Sequence, residues 1–166
     1  MTAVSKLGVT LSVILVTYMI TMGVKAAQYE QQRFENKYFM EQLECLALNI
    51  YFESRNQSKI GMQAVAWVTL NRVRHQMYPD SICDVVWDQD QFSWTHDGKS
   101  DYPFERDKWL EARRMALYVM ENYINGFDPT EGAIMFHANY IKPWWARHYE
   151  RTVRIDNHIF YKEAKL

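Results

Sequence analysis

Apolar residues recur at spacings of three and four from Phe39 onward. Phe39, Leu43, Leu46, Ala47, Ile50 and Tyr51 share one face of a predicted helix that fades at Ser54-Arg55-Asn56. Ser58 is placed to cap a second helix, whose face carries Met62, Val65, Ala66, Leu70 and Val73 and which Pro79 is expected to end. Asp80 is expected to cap a short third helix, Ser81 to Trp87, with Ile82, Val85 and Val86 inward. Residues 88–106 show no period and read as a long loop, a segment type often used for function. A fourth helix is predicted from Asp107 to Asn125, with Ala112, Ala116, Val119, Met120 and Ile124 buried and Gly126 closing it. The pattern then turns to strands. One covers Ala133 to His137, and a hairpin places Thr152–Ile155 and His158–Tyr161 around Asp156-Asn157. The expected fold is α+β and mainly α, a single domain of lysozyme-like size with a small antiparallel β element near the C-terminus.

An uncharged run from Leu7 to Val24 precedes all of this, between Lys6 and Lys25. At a rise of ~1.5 Å per residue it reaches ~27 Å, barely the depth of a bilayer core. It reads as an apolar helix, either a secretory signal ending near Val24-Lys25-Ala26 or an uncleaved anchor that tethers the chain through residues 7–24. Both send the rest across the inner membrane. The polar stretch 27–37 reads as a linker or frayed helix, which divides the chain into 1–26, 27–37 and 38–166.

Composition narrows the function. The net charge of −1 excludes a generally basic surface, so no nucleic-acid partner is expected. Aromatic residues make up 15%, a surplus that serves a core or lines a groove that stacks on sugar rings. Cys45 and Cys83 are an even pair, which in an exported chain suggests a disulfide, with two buried thiols as the alternative. The five histidines form no spaced ligand set, no serine sits in a Gly-x-Ser-x-Gly turn, and no phosphate-cradling glycine loop exists. No metal or other cofactor is expected.

Glu53 continues the apolar stripe of the first helix, three residues after Ile50 and seven after Leu46. Buried against apolar neighbours, its carboxyl would keep its proton to higher pH and serve as a general acid. A helix-end glutamate facing solvent is the alternative. Gln91, Phe92 and Ser93 put a donor, an acceptor and a flat ring close together in the long loop, a set suited to an acetamido sugar. Asn71, Asn139 and the Trp144-Trp145 pair are further candidates.

The run Cys45-Leu46-Ala47-Leu48-Asn49-Ile50-Tyr51-Phe52-Glu53-Ser54-Arg55 resembles the first motif of the SleB-type cell-wall hydrolases. Thr69-Leu70-Asn71-Arg72-Val73, Pro79-Asp80-Ser81-Ile82-Cys83-Asp84-Val85-Val86, Gln91-Phe92-Ser93-Trp94, Gly132 to His137 and Asn157-His158-Ile159-Phe160-Tyr161 resemble the later blocks in order. The family often continues with Gly-Glu after the first motif, where this chain has Asn56-Gln57. The resemblance implies a catalytic domain over 38–166 that cuts peptidoglycan glycan strands, with Glu53 as catalytic acid. It implies substrate contacts from Asn71, Gln91, Phe92, Ser93, His158 and Tyr161, and it makes a Cys45–Cys83 bridge more credible. The expected reaction cleaves the β-1,4 bond from N-acetylmuramic acid to N-acetylglucosamine. A lytic transglycosylase needs one acid and forms a 1,6-anhydro product. A hydrolytic muramidase needs a second carboxylate, for which Asp84, Asp88 and Asp90 lie nearest in sequence. An inactive peptidoglycan-binding protein is a further alternative. The expected location is the periplasm, tethered or free, or the medium if a phage endolysin is released at lysis.

Overall fold

Leu46, Ala47 and Ile50, the middle of the first predicted stripe, have no solvent exposure in the computed structural model of this protein, which describes residues 3–89 and 91–164, with side-chain surroundings from residue 12. They belong to helix α1, Ala3–Ser54. The chain divides into two units, Met1–Met40 and Glu41–Leu166.

The first unit is helical, and its described side chains from residue 12 to residue 40 are exposed. Thr17 and Thr21 turn their hydroxyls back onto the carbonyls of Ile14 and Tyr18, at 2.9 and 2.8 Å, which satisfies polar groups within an otherwise apolar stretch. Residues 27–37, expected as a linker or frayed helix, are regular helix, supported by side-chain bonds four residues apart from Gln31 to Glu35 and from Gln32 to Asn36. The expected separate apolar helix is thus one part of a 52-residue helix. Among the described residues, no helix is long and apolar enough to cross a membrane. Residues 7–11 of the expected span lie outside the described side chains.

In the second unit α1 is followed by α2 (Lys59–Val73), α3 (Ile82–Trp87) and α4 (Arg106–Asn122). Ser58 caps α2 as expected, its hydroxyl accepting from the Gly61 amide at 3.2 Å. Helix α2 ends at Val73, with Arg74 as its C-cap, before Pro79, and Ser81 rather than Asp80 caps α3 through the Asp84 amide. Helix α4 stops at Asn122. Ile124, expected inside, is 83% exposed. Gly126 does not adopt a left-handed φ. A Cβ there would collide with the Asn122 carbonyl oxygen, so close approach is what it supplies.

Met62, Ala66 and Leu70 of α2 join Leu43, Leu46, Ala47, Ile50 and Tyr51 of α1 in the main core, with Ala112, Ala116 and Val119 of α4. Three strands, β1 (Met135–Ala138), β2 (Tyr149–Ile155) and β3 (His158–Glu163), form an antiparallel sheet in the order β1-β3-β2. Phe160 of β3 packs with Ala64 and Val68 of α2, so this sheet covers the helix face opposite α1's core. A register shift between Arg151 and Arg154 breaks the β2–β3 ladder.

Two cross-links tie the elements around the end of α1 and the start of α2. Cys45 of α1 and Cys83 of α3 are bridged, with Cα atoms 5.2 Å apart and a sequence separation of 38. Asp156, at the hairpin turn with φ 49°, accepts from the Ser58 amide at 2.8 Å and the Ser58 hydroxyl at 2.6 Å. This bond ties the sheet to the start of α2, and a Cβ on Gly61 would strike the same carboxylate.

Replacing both cysteines by alanine should lower the unfolding free energy in denaturant melts by about 3–4 kcal/mol, from loop-closure entropy. Asp156→Ala should cost about 2 kcal/mol in the same measurement, because it leaves the first turn of α2 without its charged acceptor. A loss under 0.5 kcal/mol would mean water replaces the carboxylate there.

Candidate active site

Glu53 sits in the last turn of α1, one residue before its end. Three constraints position that turn. Asn49, one turn earlier and fully buried, donates to Thr69 of α2 at 3.0 Å and accepts from the Trp94 indole at 3.1 Å. Phe52 stacks on Trp94 with ring centroids 4.6 Å apart. On the other side, the Tyr51 hydroxyl accepts from the Glu105 amide at 3.0 Å, and Arg55 pairs with the Glu105 carboxylate at 2.9 Å. Helix α1, helix α2 and the long loop are therefore locked around the acid.

The Glu53 side chain faces two adjoining cavities. The larger, about 580 Å³, runs between Arg72 of α2, Gln91, Phe92 and Ser93 of the loop, and Phe136, His137, Tyr140, Trp145 and His158 of the β region. The smaller, about 330 Å³, is bounded by Phe52, Arg55, Trp94 and the loop residues Asp97, Lys99 and Asp101. The acid thus stands at the junction of a cleft that opens both ways. No described residue gives the Glu53 carboxyl a hydrogen bond.

Burial is the main influence on this carboxyl. It raises the pKa from 4.5 to about 7, with the nearby Arg72 charge opposing the rise. The last turn of a helix also presents unpaired carbonyls, which disfavour an anion, and no basic residue occupies that turn. At neutral pH a large share of Glu53 is the neutral acid, able to give up a proton.

Around it, the β region supplies an aromatic and imidazole wall. His137 places Nδ1 2.8 Å from the Ala138 carbonyl, which requires a proton on that nitrogen. Its Nε2 then accepts from the Tyr161 hydroxyl at 3.0 Å in the neutral ring. Trp145 packs edge-on against both His137 and Tyr161. His158 is buried, its Nδ1 without a partner among the described residues, and burial holds its pKa below the ordinary value.

The expected site residues fall into three groups. Glu53, Gln91, Phe92, Ser93 and His158 come together at the cleft. Phe92 is 2% exposed, and the Arg72 guanidinium covers one face of its ring. Tyr161 lies outside the lining and hydrogen-bonds His137, which is in it. Asn71 lines neither cavity. Its amide holds the loop before β1, donating to Asp128 at 2.9 Å and to the Ala133 carbonyl at 3.0 Å, because its helical neighbour Arg72 is the one turned to the cleft. Asn139 and Trp144 also lie outside the lining, whereas Trp145 belongs to it. Asp84 is spent on Ser81, Asp88 lines neither cavity, and Asp90 lies outside the described residues. Arg72, His137, Asp97 and Asp101 were not singled out as site residues by sequence. The signal for Arg72 was a cation between Leu70 and Val73 of the predicted apolar face of α2.

Comparison with known proteins agrees with this architecture. Residues 56–161 match the cell wall hydrolase family, and the chain belongs to that family. Among solved structures, the catalytic domain of the Bacillus cereus SleB protein superposes with a TM-score of 0.61 at 29% identity, covering 74% of this chain and 91% of that one. The catalytic domain of the germination-specific lytic transglycosylase SleB from Bacillus anthracis gives 0.60 at 30% identity, covering 73% and 93%. The spore cortex-lytic enzyme of Bacillus cereus is 28% identical over 139 residues, 83% of this chain and 51% of that protein. That of Oceanobacillus iheyensis is 29% identical over 126 residues, 75% and 43%. The chain thus spans about half the length of the curated relatives it matches.

A raised carboxyl pKa is a cost to the fold. The unfolded chain ionises near 4.5 and the folded chain near 7, so stability is full below pH 4.5 and declines as pH rises through 7. Glu53→Gln should therefore unfold with the wild-type midpoint at pH 4 and be more stable at pH 8, by about 3 kcal/mol at most. Equal stability at both pH values would show an acid with ordinary affinity for its proton.

Proposed function

We propose that this protein cleaves the glycan strands of peptidoglycan at the β-1,4 bond from N-acetylmuramic acid to N-acetylglucosamine, as a lytic transglycosylase with Glu53 as its single acid and base. The observation that carries the reading is a proton-holding carboxyl at the junction of a two-sided cleft. Membership of the cell wall hydrolase family, and likeness to a SleB domain described as a lytic transglycosylase, support the same reading.

In this mechanism Glu53 protonates the bridging oxygen as the bond to the muramic C1 breaks, and the electron pair leaves with that oxygen. The Glu53 carboxylate then removes the proton of the ring's own 6-hydroxyl, whose oxygen bonds to C1 and closes the 1,6-anhydro ring. The acid is restored without water. Within the larger cavity Glu53 is the only carboxylate among the described lining residues, in keeping with one group serving both steps. Gln91 and Ser93 supply polar contacts, and Trp145 supplies apolar surface for a sugar face. Because the substrate lies outside the cytoplasm, we further propose that residues 1–26 direct export, as a cleaved signal or a retained anchor.

A hydrolytic muramidase is the second reading. Asp97 and Asp101 favour it, since both line the smaller cavity beside Glu53 and either would serve as the second carboxylate.

Mass spectrometry of the sugars released from purified peptidoglycan distinguishes the two. The expected products end in anhydro-muramic acid, and Glu53→Gln should lower their rate of release by at least 10²-fold. Reducing muramic ends would transfer the assignment to hydrolysis with Asp97 or Asp101. Full activity in Glu53→Gln would remove the acid from the mechanism altogether.

A further inference from the structure

Arg72 is a cation in an unusual position. It is 3% exposed, near the C-terminal end of α2, and it lines the larger cavity together with Glu53. Its Nε donates to the Ile134 carbonyl at 2.8 Å, and its Nη2 reaches the Met135 sulfur at 3.9 Å. The guanidinium is held between the rings of Phe92 and Tyr78, with centroids at 4.9 and 5.4 Å. These contacts fix its orientation and leave it little room to move. Its Nη1 is buried with no hydrogen-bond partner, and no carboxylate pairs with it within 4 Å among the described residues. A buried charge without a counter-ion is costly, and a rigid guanidinium with a spare donor is a standing site for an anion.

In the resting cleft no described carboxylate pairs directly with Arg72, and Asp88 and Glu53 act on it only through space; the reaction turns Glu53 into a full carboxylate. Once Glu53 has passed its proton to the bridging oxygen, a carboxylate stands in the same cavity. We propose that Arg72 is a positioning residue that acts through Glu53, stabilising the carboxylate formed on proton donation and so making the buried acid strong enough to give its proton up. The inference rests on Glu53 being the acid. Burial alone would hold the proton too tightly. A fixed cation restores the return half of the cycle, in which the carboxylate must persist until the 6-hydroxyl proton reaches it. The two groups do influence each other electrostatically, each favouring the other's charged form. Besides Glu53, the described titratable and charged groups facing this region are Tyr78, Asp88 after α3, His137 on β1, Tyr140 and His158 on β3, with Arg55, Asp97, Lys99 and Asp101 on the side of the smaller cavity.

The test is an NMR titration of the full chain between pH 5 and 9. It follows the Glu53 side-chain carboxyl carbon and the Arg72 side-chain nitrogens. In wild type the Arg72 resonances should shift with the same midpoint as Glu53, and in Glu53→Gln that shift should vanish. In Arg72→Gln the Glu53 carboxyl should bind its proton at least tenfold more tightly and the alkaline limb of the pH–rate profile should move up, while Arg72→Lys, which keeps the charge, should stay close to wild type. Arg72 resonances that stay flat in wild type, or that titrate unchanged in Glu53→Gln, would overturn the proposal. So would a folded Arg72→Gln with an unaltered Glu53 midpoint. If that variant fails to fold, the comparison of wild type with Glu53→Gln decides alone. A Glu53→Gln protein that still degrades peptidoglycan defeats the acid itself, whereas an inactive one with flat Arg72 resonances defeats only the role given to Arg72.

Discussion

Withholding water from one carboxyl is the constraint around which this domain is arranged. A glutamate on an open surface is ionised at neutral pH and has no proton to give. Here the last turn of α1 is enclosed by α2, by the loop through Trp94 and by the β region, and the carboxyl pKa rises to about 7. The buried Asn49–Thr69 and Asn49–Trp94 hydrogen bonds hold that enclosure in place without adding a charge near the acid. The disulfide acts one helical turn further back, joining Cys45 to the helix that leads into the loop. Each device is modest in energy. Together they remove the freedom by which a helix end would otherwise fray and let solvent reach Glu53.

The two sides of the cleft differ in chemistry. The larger side is aromatic and imidazole-rich, with its histidines tied into hydrogen bonds or buried and neutral. The smaller side carries the exposed charges of Asp97 and Lys99, which pair with each other at 3.1 Å. A polymer lying across Glu53 would meet a rigid wall on one side and a solvated loop on the other. Such asymmetry distinguishes the two directions of a strand, which a symmetric groove would not.

Much of the helical frame was legible in the sequence because periodicity reports burial directly. The α1 and α2 stripes, the Ser58 cap and the hairpin at Asp156-Asn157 all follow from local patterns. The enclosure of the Glu53 side chain was legible for the same reason, since it continues a buried stripe. Helix ends were less so. Pro79 and Gly126 looked like stop signals, but α2 and α4 end earlier, where packing contacts run out, as the exposed Ile124 shows. The far wall of the cleft was only partly legible. Arg72 reaches it through a bond to Ile134 across 62 residues, and His137 and Trp145 through packing with Tyr161 of β3, and no local period encodes that. Asn71 and Arg72 are adjacent in one motif and serve opposite ends, one bracing a loop and one facing the cleft. Neighbours on a helix point about 100° apart, so a motif match alone cannot say which does which.

The strand order carries a consequence for synthesis. β3 is the middle strand, and both β1 and β2 find their hydrogen bonds on it. It is also the last of the three to be translated. While the ribosome is still adding residues before His158, neither earlier strand has its partner, and the turn that anchors Ser58 has not emerged. The acid-bearing helix leaves the tunnel long before the wall that dehydrates it. A nascent or C-terminally clipped chain would therefore leave Glu53 without the β wall of its cleft, and the enclosure that raises its carboxyl pKa would be complete only with the final strand.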